Sequence, residues 1–299
     1  MTLTVDRPKA KANTTIQRCL LRMTLRQQRS GLALLAAVLL VPSLAVLHWL
    51  RTSEYALTQL APALYGNGFS ASYWDNHWDH IGTFDSGLFD LVYVTVFACL
   101  WLLIPATSMI RRDLAVRLNI TLWTQGASPT QWLLAKVAVL AAFVVVCFGT
   151  MATLDWALLR WAVSRQLLVE NTHDALLLRG VGPSMVAVPL MFVCLGALFA
   201  VIPGNILTRT LIRLGLLVGL GGLSYLAGDL FSDTAAVSRT LVTHRVSGVN
   251  RSHAVLTGIS TTGYWGHQLM TCAGELAIAA GALLLALRLL RRCTADGAG

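Results

Sequence analysis

Residues 132–158 read Trp-Leu-Leu-Ala-Lys-Val-Ala-Val-Leu-Ala-Ala-Phe-Val-Val-Val-Cys-Phe-Gly-Thr-Met-Ala-Thr-Leu-Asp-Trp-Ala-Leu, with Lys136 and Asp155 the only charges. An α-helix needs roughly twenty apolar residues to cross the hydrocarbon core of a bilayer, and this stretch exceeds that. Working outward, five more runs of span length fall near 31–50, 88–110, 183–203, 211–230 and 269–290. The pattern predicts an all-α integral membrane protein with six transmembrane helices. It divides the chain into a cytoplasmic arm at 1–30, a transmembrane domain at 31–290 and a cytoplasmic tail at 291–299.

Composition agrees, with 56% hydrophobic residues, 12% charged residues and a mean hydropathy of +0.64. A soluble domain of this length would have to hide all six apolar helices inside itself, which leaves too few polar faces to cover them.

Cations near span ends are retained in the cytoplasm, so their distribution orients the chain. Threading the six spans puts Arg7, Lys9, Lys11, Arg18, Arg22, Arg26, Arg29, Arg111, Arg112, Arg117, Lys136, Arg209, Arg213, Arg288, Arg291 and Arg292 on one side, sixteen of the 23 Lys and Arg. The opposite connector at 51–87 holds Arg51 against Glu54, Asp75, Asp79 and Asp85. Both termini are therefore expected in the cytoplasm. The net charge of +9 reads as orientation signal and lipid contact, not nucleic-acid binding.

Within the arm, a turn of about 100° per residue gathers Arg18, Arg22, Arg26 and Arg29 on one face, with Ile16, Leu20 and Met23 opposite. This is the pattern of an amphipathic interfacial helix. A secretory signal peptide is rejected, because the following run is span-length and no small-x-small cleavage site precedes a soluble domain.

Several chemistries are excluded. Only Lys9, Lys11 and Lys136 are lysines and none follows glycine, so there is no G-x-x-x-x-G-K-[ST] phosphate loop. H-E-x-x-H and G-x-S-x-G are also missing. No enzyme activity and no cofactor are expected of this chain. Cys19 and Cys293 fall in cytoplasmic segments and the other four cysteines in spans, so no disulfide framework is suggested. Gly215 and Gly219 form a G-x-x-x-G that suits close helix packing.

Polar residues inside or beside the spans are the candidate sites. Asp90, Asp155 and Glu275 project toward the outer halves of their spans and either line a pathway or reach the interface. All seven histidines fall at or beyond the outer face. In the outer loop Trp74-Asp75-Asn76-His77-Trp78-Asp79-His80, His77 and His80 offer donors for a metal or an acid sensor. Their spacing matches no established ligand motif, and an interfacial loop has the same composition.

The connector between the second and third runs carries Leu122-Trp123-Thr124-Gln125-Gly126-Ala127-Ser128-Pro129-Thr130-Gln131-Trp132-Leu133-Leu134-Ala135-Lys136. Ser128 and Pro129 supply an N-cap and a first-turn proline, so a helix is expected to start there. Trp123 and Trp132 are expected to anchor at the headgroup level, and Lys136 to snorkel to the same surface.

This stretch resembles the permease subunits of type-2 ATP-binding-cassette exporters, especially an actinobacterial group whose connector reads roughly L-A-W-T-Q-x-V-[ST]-R-x-R-W-L-x-x-K. Thr124, Gln125, Ser128, Trp132, Leu133 and Lys136 match it in spacing. The six-run layout and basic N-terminal helix are similar too. The family commonly has an acidic residue and a Gly-Thr pair before the motif and an Arg after the Ser, where this chain has Arg117-Leu118 and Pro129-Thr130.

The resemblance implies a multi-pass protein of the cell membrane that docks a separate ATP-binding-cassette ATPase through Trp123, Thr124, Gln125, Ser128, Trp132 and Lys136. It also implies a second permease subunit, the same or homologous, and an amphipathic substrate such as a peptide, lipid or drug-like molecule. Two other classes stay open. An ion-coupled secondary transporter would use Asp90, Asp155 or Glu275, and a membrane sensor or metal-handling protein would use the His77 and His80 loop.

Overall fold

The structure, a computed structural model, describes residues 19–26, 102–114, 128–164, 182–203, 241–247 and 252–296, with single positions between 29 and 44 and between 210 and 215. Among these residues three helices are long and apolar enough to cross a membrane: 29 residues from Pro129 to Ala157, 18 from Ser184 to Val201 and 31 from Thr262 to Arg292. Each coincides with one of the expected runs. The remaining three runs lie wholly or largely outside the described residues, although 102–114 is helical and belongs to the second.

The Pro129–Ser164 helix is 36 residues long. Leu133, Val137, Leu140, Val144, Phe148 and Met151 recur every three or four residues along it, Leu159 follows eight residues on, and all are buried. That spacing keeps them on one face of a helix. The opposite face exposes large apolar side chains such as Val146, which is 67% exposed. Thr150 and Thr153, also exposed, return their hydroxyls to the helix itself, donating to the Val146 and Thr150 carbonyls at 2.7 Å each. Hydroxyls that face hydrocarbon satisfy themselves in this way, since no water is there to accept from them.

The Ser184–Val201 helix is the central one: 72% of its span is buried within the chain, against 17% for the last helix. Gly196 permits the 102–114 helix to approach it. A Cβ at Gly196 would stand 2.5 Å from that of Ala106, and the Gly196 carbonyl accepts from Thr107 Oγ1 at 3.3 Å. The Thr261–Asp296 helix packs along the same central helix. It starts eight residues before the expected run at 269, because Tyr264 and Gln268 are buried despite their polar groups.

The long outer pair is antiparallel. At one end Arg291 Nε donates to Thr130 Oγ1 at 3.3 Å; at the other the Trp156 and Tyr264 rings stack with centroids 4.5 Å apart. At 1.5 Å rise per residue the two ends are about 39 Å apart.

The all-α expectation needs one correction. Leu241–Ser247 and Ser252–Ile259 form an antiparallel two-stranded hairpin, with Leu241 opposite Ile259, Ser247 opposite Ser252, and a register shift between Val242 and Thr243. Val242, Thr243, Val246, Val255, Thr257 and Ile259 supply the β-branched side chains that favour extended backbone. The hairpin runs directly into the Thr261–Asp296 helix, and its second strand lies against the Pro129–Ser164 helix.

Candidate functional site

Ser128 begins the long helix by a reciprocal cap. The Gln131 N–H donates to Ser128 Oγ and the Ser128 N–H donates to Gln131 Oε1, both at 3.1 Å. The Trp132 N–H then bonds the Ser128 carbonyl at 3.0 Å, the first intrahelical bond. Ser-x-x-Gln is a capping box, which satisfies two backbone donors at once. Pro129, at the first helical position, has no N–H to satisfy.

This cap fixes the helical phase, and the phase corrects two expectations. Trp132 presents no ring to lipid headgroups. It is 1% exposed and packs in the core with Leu102, Ile110 and Leu133, because one turn in from Ser128 the helix face points inward. Lys136 does not snorkel either. Its ammonium meets Asp113 Oδ2 at 2.7 Å, with side chains 3% and 7% exposed.

Asp113 is the functional residue that sequence reasoning missed here. Leu102, Ala106, Met109 and Ile110 are buried on one face of their helix, and the same phase carries Asp113 to Lys136. That phase was the available signal. Extending the second run past 110 to 114 makes Asp113 a helical residue, where sequence reasoning had assigned a connector.

Two more contacts converge on the start of the long helix. Leu20, 5% exposed, packs on Ala135, while Arg22, Arg26 and Arg29 are exposed. Residues 19–26 are helical, and Thr24 Oγ1 donates to the Leu20 carbonyl at 2.8 Å. Thr130 receives Arg291 from the last helix. The structure thus brings Ser128, Trp132 and Lys136 together at one end. Trp123, Thr124, Gln125 and Arg18 lie outside the described residues.

At the opposite end, Asp155 is 1% exposed, and among the described residues neither carboxylate oxygen has a hydrogen-bond partner. Beside it in sequence, Trp156 stacks on Tyr264 with an interplanar angle of 28°. Gly182 is required at this end, since its φ is +124° and an added Cβ would strike the Tyr264 hydroxyl. Gln268 Oε1 accepts the Ser184 N–H at 3.1 Å, anchoring the start of the central helix. Gly182, Tyr264 and Gln268 carried no local sequence signal, because their roles arise from contacts between elements.

Glu275 is half-buried on the last helix. Asp90, His77, His80 and Gly219 lie outside the described residues. Gly215 has nothing within 4 Å of an added Cβ, and among the described residues close helix packing is seen at Gly196. Among the described residues no three His, Cys, Asp or Glu side chains cluster as metal donors would.

The apolar helices with self-satisfied hydroxyls are those of a membrane protein. Comparison with protein families, with curated proteins and with solved structures finds no match.

Proposed function

We propose that this chain is the membrane-spanning permease subunit of an ATP-driven exporter of the type-2 ATP-binding-cassette class. A separate ATPase subunit hydrolyses the nucleotide, and a second permease subunit, the same or homologous, completes the pathway. The chain sits in the cell membrane with six spans and both termini in the cytoplasm, and the cargo is amphipathic.

The observation that carries this reading is the way the first two turns of the Pro129–Ser164 helix are tied. Ser128 and Gln131 cap it, Asp113 holds Lys136, Leu20 packs on Ala135 and Arg291 bonds Thr130. A force applied to the connector before Ser128 reaches four helical elements together. Arg111, Arg112, Arg288, Arg291 and Arg292 lie at or near this end, which supports its cytoplasmic assignment. A second reading, ion-coupled secondary transport, is favoured by one observation, the unpartnered carboxylate of Asp155.

Affinity purification in mild detergent, with identification of co-purifying subunits, separates the two. A stoichiometric soluble ATPase carrying a phosphate loop supports the exporter reading. Purification of the chain without any ATPase, together with transport that persists without ATP, overturns it.

A further inference from the structure

The Pro129–Ser164 helix buries two charges and treats them differently. Lys136 receives its counter-charge from Asp113 within the chain. Asp155, 1% exposed, has no hydrogen-bond partner on either oxygen among the described residues. A carboxylate removed from water costs several kcal/mol unless it is protonated or meets a counter-charge, so a cation that brings that counter-charge gains affinity here.

Depth and surroundings narrow the class of that counter-charge. Lys136 and Asp155 are about 28 Å apart along the helix at 1.5 Å per residue, close to the thickness of the hydrocarbon layer. Asp155 also lies two residues inside the end of the apolar span at Ala157. It therefore stands at an edge of the apolar layer, where the head of an amphiphile lies when its tail is in lipid.

The neighbouring groups are aromatic. Trp156 stacks on Tyr264, and Trp265 meets Tyr264 edge-on at 5.3 Å. Trp156 is half-buried and Trp265 is 50% exposed, so this ring cluster is where the site faces outward. Arg160 places its guanidinium 6.0 Å from the Trp156 ring centroid and not on the carboxylate, so a ring of this cluster already holds a cation by its face.

We propose that Asp155 and the Trp156–Tyr264 ring pair form the head-group subsite for a lipophilic cation, an ammonium or similar positive centre on an apolar body. This rests on the exporter reading only for the idea that the bound amphiphile is cargo. The carboxylate supplies the counter-charge, and the rings supply stacking area and cation–π attraction.

The test uses the full chain in nanodiscs of phosphatidylglycerol, with no ATPase and no ATP, and radiolabelled tetraphenylphosphonium as probe. Tetraphenylborate, of the same shape and opposite charge, is run as a probe in separate discs. Saturable binding is expected of tetraphenylphosphonium and not of tetraphenylborate. Asp155→Asn should weaken it at least about tenfold, a loss of about 1.4 kcal/mol, and Trp156→Leu should weaken it by a smaller factor. Thr150→Ala, on the exposed face, should leave it unchanged. Each variant is compared at equal monodisperse elution, so that Trp156→Leu carries the test if Asp155→Asn fails to fold.

Adding phosphatidylethanolamine to the disc distinguishes the source of the cation. Competition assigns the site to a lipid amine, and no competition assigns it to a separate amphiphile. No saturable binding by the wild type, equal binding by Asp155→Asn and Trp156→Leu, or equal saturable binding of tetraphenylborate in its own discs overturns the proposal. A chain that co-purifies with an ATPase yet binds no cation overturns this site alone. One that binds the cation and has no ATPase overturns the exporter reading alone.

Discussion

Lys136 and Asp113 face each other at 2.7 Å between two helices, in a setting where their side chains are 3% and 7% exposed. Removing both charges from water is costly, and the pair persists because each neutralises the other at hydrogen-bond distance. It joins the 102–114 helix to the start of the Pro129–Ser164 helix.

Breaking this pair on one side should be far worse than removing it whole. Lys136→Met leaves Asp113 buried and uncompensated, a loss of about 3–5 kcal/mol. The double variant Lys136→Met/Asp113→Leu should recover most of it. Thermal unfolding in detergent checks this; additive losses from the two single substitutions would show that the contact is not coupled.

Ser128→Ala removes one half of the capping box and should destabilise the helix start by about 1 kcal/mol. Gln131→Ala should have a similar effect, and the two together less than the sum, since each bond supports the other. Hydrogen exchange at the amides of residues 128 and 130–132 is the readout, with faster exchange expected in both variants.

Gly182→Ala meets two obstacles, a φ of +124° and the Tyr264 hydroxyl. Backbone strain of this kind costs about 1–3 kcal/mol. Adding Tyr264→Phe should relieve the clash and leave the strain, so the double variant should be intermediate in stability. Full recovery would mean that the backbone conformation is not strained.

The parts legible in the sequence were those set by local rules. The Ser184–Val201 helix differs from the expected 183–203 by one or two residues at each end, because the bilayer fixes the length of an apolar run. Ser128 and Pro129 announce a helix start, and the cap is found there, with Gln131 completing it.

What stayed hidden depends on residues distant in sequence. Lys136 reads as a surface lysine until Asp113, 23 residues earlier, is known to be helical and in phase. Gly182 needs Tyr264, and Gly196 needs Ala106. The hairpin at 241–259 was passed over for another reason: its strands of seven and eight residues fall below the length at which an apolar run signals a span.

The proposed sidedness rests on the cation count and is open to direct labelling. Single cysteines at Ser53 and at Ser128, in a background freed of native cysteines, should react differently with an impermeant maleimide on intact cells. Ser53→Cys should label from outside and Ser128→Cys only after permeabilisation. Labelling of Ser128→Cys in intact cells would invert the assignment.

The most direct measurement of the central claim is ATPase binding by connector variants. The connector leads into the Ser128 cap, and truncating an interface anchor often costs 2 kcal/mol or more. Trp123→Ala and Gln125→Ala should each lose most of the co-purifying ATPase and its substrate-stimulated hydrolysis, while Trp74→Ala, in the 51–87 loop, keeps both. Full ATPase binding and coupled hydrolysis in both connector variants, with the protein stably inserted, would contradict the account.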